Sequence, residues 1–213
     1  MPDIKAIEES LEKLKKEISD LKNTHEVPQA PTENPYRTQA LTYQVDTLEQ
    51  YTRRNSVRFH NIPSSENEDT SDLIIQVCQS LNLPINRQSI DVSHRVKARN
   101  AKPNVPEPII VKFVRREDKI SVIKNKRKLS DTDHKDVFIH EDLTSIWRKM
   151  LEVIKRDLET NQSVFTKYGK IFLRTQVDNN TVRSKLLVDT YADFIKLGFT
   201  ADQCRFIGLF DNL

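Results

Sequence analysis

The chain has 213 residues, of which 31% are charged and 7% aromatic, and its formal net charge is +3. This length suits one large domain or two small ones with an extension, and the composition predicts a modest core under much solvated surface. The two cysteines form no CxxC pattern, which argues against a disulfide framework or a zinc site and favours a reducing compartment. No apolar run approaches the roughly 18 residues of a membrane span, so we expect a soluble, intracellular protein without a membrane partner.

The N-terminal segment has the apolar spacing of a coiled coil. Within residues 1–26 the intervals alternate between three and four, and the apolar positions are Ile4, Ile7, Leu11, Leu14, Ile18 and Leu21. Because the other faces are polar, we expect a homo-oligomer, and isoleucine at both seam positions of the first heptad leans towards a trimer over a dimer. The alternative is an amphipathic helix packed on its own domain. Prolines then predict a linker over residues 27–36.

The middle of the chain alternates between strand and helix patterns. A second helix is predicted over residues 37–54, with Leu41, Val45 and Leu48 on one side. A domain over residues 55–141 follows, with strands predicted at 56–62, 90–96, 109–114 and 136–140 and helices at about 71–83 and 116–129. This βαββαβ order is the ferredoxin-like arrangement, with helices on one face of a four-stranded antiparallel sheet. RNA recognition motif (RRM) domains bind RNA on the open face of such a sheet.

A small helix-plus-hairpin domain is predicted over residues 142–200. Its helix runs over about 143–161, with an N-cap at Asp142 or Thr144. A hairpin over residues 164–175 turns at Tyr168 and Gly169, and a last helix at 189–197 ends before Gly198. Residues 201–213 are predicted to form a loosely held tail. The whole chain is therefore predicted to be an α+β protein.

Catalytic patterns are absent from the sequence. Only three glycines occur, so there is no phosphate-cradling loop and no dinucleotide fingerprint. The histidines have no metal-ligand spacing, and the acidic residues do not pair at a predicted strand end. We therefore expect no enzyme activity, no cofactor, no metal ion and no small-molecule substrate.

Cations instead gather where the chain enters the predicted sheet. Val57 and Phe59 should point to the core, so Arg58 and His60 point outward. A cationic strand face after a basic pair is suited to a phosphate backbone; the alternatives are a strand facing water, or a face covered by the C-terminal segment. The candidate nucleic-acid-binding residues are Arg53, Arg54, Arg58, His60, Arg95, Lys97, Arg99, Lys112, Arg115, Phe138, Lys167, Tyr168, Lys170 and Arg174.

The order of these parts resembles the first-open-reading-frame RNA-binding protein of LINE-type retrotransposons. The resemblance spans roughly residues 37–200 and includes the segment RRNSVRFHNIP, the HR pair in the second strand and PIIVKFV in the third. The C-terminal part, with KYGKIFLR, is similar to the C-terminal domain of the baculovirus few-polyhedra (FP) protein family.

This resemblance implies an oligomer, trimeric in the mammalian retrotransposon proteins, that binds single-stranded RNA or DNA with little sequence preference. It also implies nucleic-acid chaperone activity and packaging of the element's own transcript, hence cytoplasmic ribonucleoprotein particles. The positions that match the family's RNA contacts are Arg53, Arg54, Arg58, Arg95, Lys112, Tyr168 and Lys170.

Two functions stay open at the level of sequence. The basic hinge and loop favour an oligomeric single-strand-binding protein, whereas the low aromatic content of the sheet favours an FP-like coiled-coil scaffold that binds proteins. The basic run at residues 124–128 is either a nucleic-acid contact or a solvated surface, and it is also a weak nuclear-localisation pattern.

Overall fold

The computed structural model of the chain describes residues 4–24, 35–97 and 105–208. The prediction of an α+β protein with an N-terminal helix is confirmed: the described residues contain seven α-helices and two antiparallel sheets, of four and three strands. The chain divides into two compact units, residues 1–41 and 42–213.

The N-terminal unit contains α1, Ile4–Thr24, and the beginning of α2, Pro35–Thr52. Two of the predicted seam residues, Leu11 and Leu14, are 52% and 57% exposed. The side chains of Ile4, Ile7, Ile18 and Leu21 lie outside the described residues, as does most of the predicted linker. Helix α2 begins at Pro35 rather than at residue 37, because a proline is tolerated in the first turn, where its missing N–H is not needed.

The four-stranded sheet belongs to the second unit. After α2, a 3-10 turn over Arg53–Asn55 leads into the sheet, whose strands are ordered β2-β3-β1-β4. All neighbouring strands in this order are antiparallel. The elements in chain order are β1 Ser56–His60, α3 Thr70–Ser80, β2 Ile90–Arg95, β3 Ile109–Phe113, α4 Arg116–Asn125, a 3-10 turn over Lys126–Asp131, and β4 Phe138–Glu141.

Alternation along the central strands buries one face of this sheet. Val57 and Phe59 of β1, and Ile109, Val111 and Phe113 of β3, are fully buried. They pack against apolar side chains of α3 and α4, and each such side chain contributes about 1.5–3 kcal/mol relative to an exposed one. The opposite face carries Arg58 and His60 of β1 together with Ile110 and Lys112 of β3.

A second core lies in the C-terminal part of the same unit. Trp147, Met150 and Ile154 of α5 pack with Ile171 and Phe194. The three-stranded sheet is ordered β5-β6-β7. The elements are α5 Ser145–Arg156, β5 Gln162–Lys167, β6 Lys170–Gln176, β7 Val182–Val188, α6 Tyr191–Ile195 and α7 Ala201–Ile207.

The structure of this part differs from the predictions most clearly in three features. Helix α5 ends at Arg156, well before residue 161. Strand β7 was not predicted, because its residues from 182 to 186 are all exposed at the edge of the sheet and show no alternation. The prediction of a loose tail is wrong for Ala201–Ile207, where Thr200 caps a short helix and Ile207 is 1% exposed in the second core. Residues 209–213 lie outside the described part of the chain.

Helix α2 packs through a different side from its predicted apolar seam. Leu41, Val45 and Leu48 are 51%, 63% and 66% exposed. The packed side instead carries Tyr43, whose ring stacks on that of Tyr191 at 4.1 Å. The carboxylate of Asp46 accepts a hydrogen bond from the Tyr191 hydroxyl, so the last turns of α2 are anchored on the second core by polar and aromatic contacts.

Candidate functional site

A cleft of about 320 Å³ lies where the end of α2, helix α4, the β4–α5 junction and the β5–β6 turn meet. We call it the junction cleft. Its walls include Tyr51 and Arg54 from α2 and the following turn, Arg116 and Lys119 from α4, and Tyr168 and Lys170 from the hairpin.

The hairpin turn is held in the cleft by a buried carboxylate. Tyr168 and Gly169 both have positive φ, 59° and 76°, the conformation of a two-residue hairpin turn. Glu141 accepts hydrogen bonds from the backbone N–H groups of Tyr168, at 3.0 Å, and Gly169, at 3.2 Å. It also forms a buried ion pair with Lys119. The turn predicted at Tyr168 and Gly169 is thereby fixed with the Tyr168 ring 47% exposed.

Gly169 also lets the turn approach α2 closely. A Cβ atom at this position would lie 3.0 Å from Cγ of Gln50. Gln50 in turn donates to the Asp142 carbonyl at 3.1 Å and accepts from the Thr144 N–H at 2.9 Å. A side chain at position 169 would therefore disturb the junction, in addition to its cost at positive φ.

Two predicted phosphate ligands form ion pairs within the fold. The Asp142 carboxylate, 4% exposed, accepts from Nη1 of Arg53 at 2.8 Å and from Nε of Arg58 at 2.6 Å. Arg53 also donates to Glu49 through Nε at 3.1 Å. Because both guanidinium groups pair with a buried carboxylate, the protein holds them in place, and Arg53 also lines the junction cleft.

Cations line the cleft beside exposed rings. The Arg54 guanidinium lies 4.2 Å from the Tyr51 ring centroid, and that of Arg116 lies 4.7 Å from the Tyr168 centroid. Within the described residues, neither arginine forms an ion pair. Lys170 also lines the cleft but pairs with Asp189 at 2.5 Å. Two exposed cation–π pairs therefore face one cavity.

Tyr51 and Arg116 were not among the predicted site residues. Arg115, which was, is the exposed N-cap residue of α4 and does not line the cleft. The i,i+3 spacing of Tyr51 and Arg54 is the one sequence signal that points to the first pair, since residues so spaced are neighbours on a helix. Nothing local in the sequence places Arg116 beside Tyr168, which lies far along the chain.

Arg95 makes several contacts within the fold. It forms an ion pair with Glu68, and its guanidinium donates to the carbonyls of Ile62, Pro63 and Glu107 at 3.1, 2.9 and 2.6 Å. These bonds tie the loop after β1 to the segment before β3. Lys97 is exposed just beyond β2, whereas Arg99 lies outside the described residues.

The outer face of the four-stranded sheet carries the remaining candidates. Arg58 lies opposite His140, and His60 lies opposite Phe138, which is 54% exposed. The two histidine rings meet edge to face at 5.5 Å. Lys112 pairs with Asp91 at 2.7 Å. The face is therefore open at the β4 edge, but one of its cations is paired and another, Arg58, is held by Asp142.

Lys167 and Arg174, the last two predicted residues, flank the hairpin. The Lys167 ammonium lies 5.3 Å from the Tyr168 ring centroid, and the Arg174 guanidinium lies 4.9 Å from that of Phe165. Neither lines the junction cleft; both line a neighbouring groove.

The histidine pair should make the fold sensitive to acid. Burial, then the charge of Arg58, lowers the pKa of His60 from 6.5. Burial, with Lys126, His60 and Lys155, lowers that of His140 to about 4. Because His140 is exposed as a residue, we assign most of the effect to half-buried His60.

We therefore expect the free energy of unfolding to fall as pH drops below 6.5, the ordinary pKa of histidine. In this range the histidines of the unfolded chain bind protons, whereas those of the folded chain, whose pKa is lower, bind fewer. Denaturant unfolding at several pH values measures this, and a His60→Gln/His140→Gln variant should show a flatter profile. An equally steep profile in that variant would assign the acid sensitivity to other groups.

A scan against protein-family models and a search of curated proteins found no match. Among the described residues, no helix is both long and apolar enough to cross a membrane. In the same part of the chain, no three His, Cys, Asp or Glu side chains come together in a way that could hold a metal ion.

Proposed function

We propose that the protein binds single-stranded RNA or DNA, with little sequence preference, in the junction cleft. The observation that carries this proposal is the pairing of Arg54 with Tyr51 and of Arg116 with Tyr168 in the same cavity. Single-strand-binding proteins combine a cationic groove for phosphates with aromatic rings for bases, and stacking tolerates every base. The junction cleft is lined by both cations and aromatic rings.

An RRM-like fold for residues 55–141 is part of the proposal. It is supported by the chain order β1, α3, β2, β3, α4, β4 and by the sheet order β2-β3-β1-β4, with the first and third strands in the centre. An RRM stacks bases on aromatics of those central strands. Here the central strands present Arg58, His60 and Lys112 to the outer face, so the bases are assigned to the cleft.

Direct binding measurements test the proposal. Fluorescence anisotropy with single strands of several unrelated sequences should give similar dissociation constants, and a duplex of the same length should bind less tightly because its bases cannot stack on the tyrosines. A strict preference for one short sequence, or no binding of any single strand, would contradict the proposal.

Self-association through α1 belongs to the same proposal, as a trimer or a dimer. Its support is the heptad spacing together with the exposure of Leu11 and Leu14, 52% and 57%. Changing both to glutamate should give monomers, because two charges would enter each seam. Sedimentation measures the mass, with Lys13→Glu/Lys16→Glu as the control at outward positions of the same helix. Equal masses for the wild type and the Leu11/Leu14 variant would contradict the proposal.

One observation favours the alternative, an FP-like scaffold that binds proteins. Helix α2 exposes Leu41, Val45 and Leu48 along one side, and an exposed apolar stripe is typical of protein–protein contacts. A scaffold would show no single-strand binding and no effect of changes in the junction cleft. The binding measurements above therefore separate the two functions.

A further inference from the structure

A second groove, of about 330 Å³, adjoins the junction cleft and shares Lys119, Glu141 and Tyr168 with it. It lies between α4 with its following turn and the strands β5 and β6. We call it the hairpin groove. The lining residues that matter here are Lys124, Arg127, Phe165, Lys167 and Arg174.

Aromatic rings lie on the outer face of the three-stranded sheet at this groove. Phe165 and Phe172 are directly opposite in β5 and β6, and their rings stack at 5.4 Å with an interplanar angle of 19°. The alternating residues Ile171 and Leu173 are buried in the core, so the two phenylalanines belong to the opposite face. A stacked pair there can be structural, because cross-strand aromatic pairs stabilise hairpins.

Arg174 has two features that a purely structural pair of phenylalanines does not explain. Its guanidinium lies 4.9 Å from the Phe165 ring centroid, and its Nε is buried with no hydrogen-bond partner among the described residues. A buried donor without an acceptor is costly, and a phosphate or a base edge in the groove would supply one. Arginine planes stacked on rings are also platforms for unpaired bases.

The exposed charged side chains that line the hairpin groove are positive. Lys124, Arg127 and Lys167 are exposed, and none of them forms an ion pair within the described residues. Glu141 is the one acidic lining residue in this part of the chain, and it is buried against Lys119. The groove therefore combines exposed cations with a stacked layer of Phe165 and Arg174.

We infer that the hairpin groove binds a second segment of the same nucleic-acid strand, continuous with the segment in the junction cleft across Tyr168. Lys124, Arg127 and Lys167 contact phosphates, and a base stacks on the Phe165–Arg174 layer. The inference rests on the proposed function. It predicts that the protein binds more nucleotides of one strand than the junction cleft alone could hold.

Oligouridylates of about 4 and about 16 nucleotides, the range of single-domain site sizes, test the inference. The variant is Lys124→Ala/Arg127→Ala. Its charge-matched control is Arg183→Ala/Lys185→Ala, since both residues are exposed on β7 and line neither site. The groove variant should lower the salt slope for the long oligomer by about 1.4 units, at about 0.7 per phosphate, while the control keeps the wild-type slope.

A second arm addresses the stacking layer. Photocrosslinking of the long oligomer should modify the peptide that contains Phe165, and Phe165→Leu should weaken binding of the long oligomer by about 5- to 150-fold. Phe165 is half-buried, so replacing it could disturb folding. The crosslink is measured on the wild-type protein and therefore does not depend on how the variant folds.

The outcomes separate the two proposals. If the groove variant and its control bind the long oligomer alike and no crosslink forms at Phe165, the inference about the groove is overturned, while the proposed function stands as long as changes at Arg54 weaken binding. An equal loss with the groove variant at both lengths would also overturn the inference, because a second segment should matter for the long oligomer and not for the short one. A wild-type chain that binds neither oligomer would overturn the proposed function and the groove together.

Discussion

Replacing Glu141 with alanine should lower the free energy of unfolding by about 3–5 kcal/mol, the usual cost of removing one partner from a buried ion pair. The side chains of Lys119 and Glu141 are 4% and 5% exposed, so the ammonium would be left buried without its counter-charge. The N–H groups of Tyr168 and Gly169 would also lose their acceptor. Denaturant titration measures the loss as a shift of the midpoint.

Glu152→Ala is the control for this change. Glu152 pairs with Arg156 one helical turn away at 2.5 Å, with both side chains more than half exposed, and such pairs contribute about 0.2–1 kcal/mol. A Lys119→Met/Glu141→Met variant should recover part of the loss, because no buried charge remains, but not all of it, because the turn still lacks an acceptor. Equal losses for Glu141→Ala and Glu152→Ala would contradict the role given to Glu141.

Replacing the arginines of the junction cleft and replacing its tyrosine should affect single-strand binding in different ways. Arg54→Ala/Arg116→Ala should lower the salt slope for single strands by about 1.4 units and weaken binding uniformly across sequences. Tyr168→Asn should leave the slope unchanged and weaken binding by about 5- to 150-fold, the value of one base stack of about 1–3 kcal/mol. Asparagine is chosen because it tolerates the positive φ of this position, 59°.

Tyr168→Phe is the matched control, since it keeps the ring, and Arg183→Ala removes an exposed cation of β7 that does not line the cleft. Both should bind like the wild type. If Tyr168→Asn alters the salt slope as much as the double arginine variant does, the assignment of stacking to the ring and of phosphate contact to the arginines is wrong.

The parts of the fold with strong local patterns could be predicted from the sequence. Alternation of Val57, Phe59 and their neighbours predicts β1, and Tyr168-Gly169 between two apolar runs predicts the hairpin turn, because both depend on residues close together in the chain. Strand β7 has no such pattern, since the edge of the sheet leaves residues of both faces exposed. Helix α7, only seven residues long, is too short for its periodicity to be recognised.

The candidate site was less predictable, because the residue that pairs with a charged side chain can come from any part of the chain. The sequence shows that Arg53 and Arg58 are cations near a strand, but not that Asp142, 89 and 84 residues away, forms an ion pair with each of them. Arg95 is likewise taken up by Glu68 and three carbonyl groups. Tyr168 was found because a tyrosine at a two-residue turn is exposed by local geometry, whereas Arg116 reaches it through tertiary packing alone.

Salt dependence of single-strand binding tests the central claim most directly. If Arg54 and Arg116 each neutralise one phosphate, the slope of log affinity against log salt should be about −1.4 or steeper, at about 0.7 per contact. Affinity should then fall by about 7-fold or more between roughly 50 and 200 mM salt, to a similar extent for every sequence tested. A flat response over the same range, with binding intact, would contradict phosphate contact in the junction cleft.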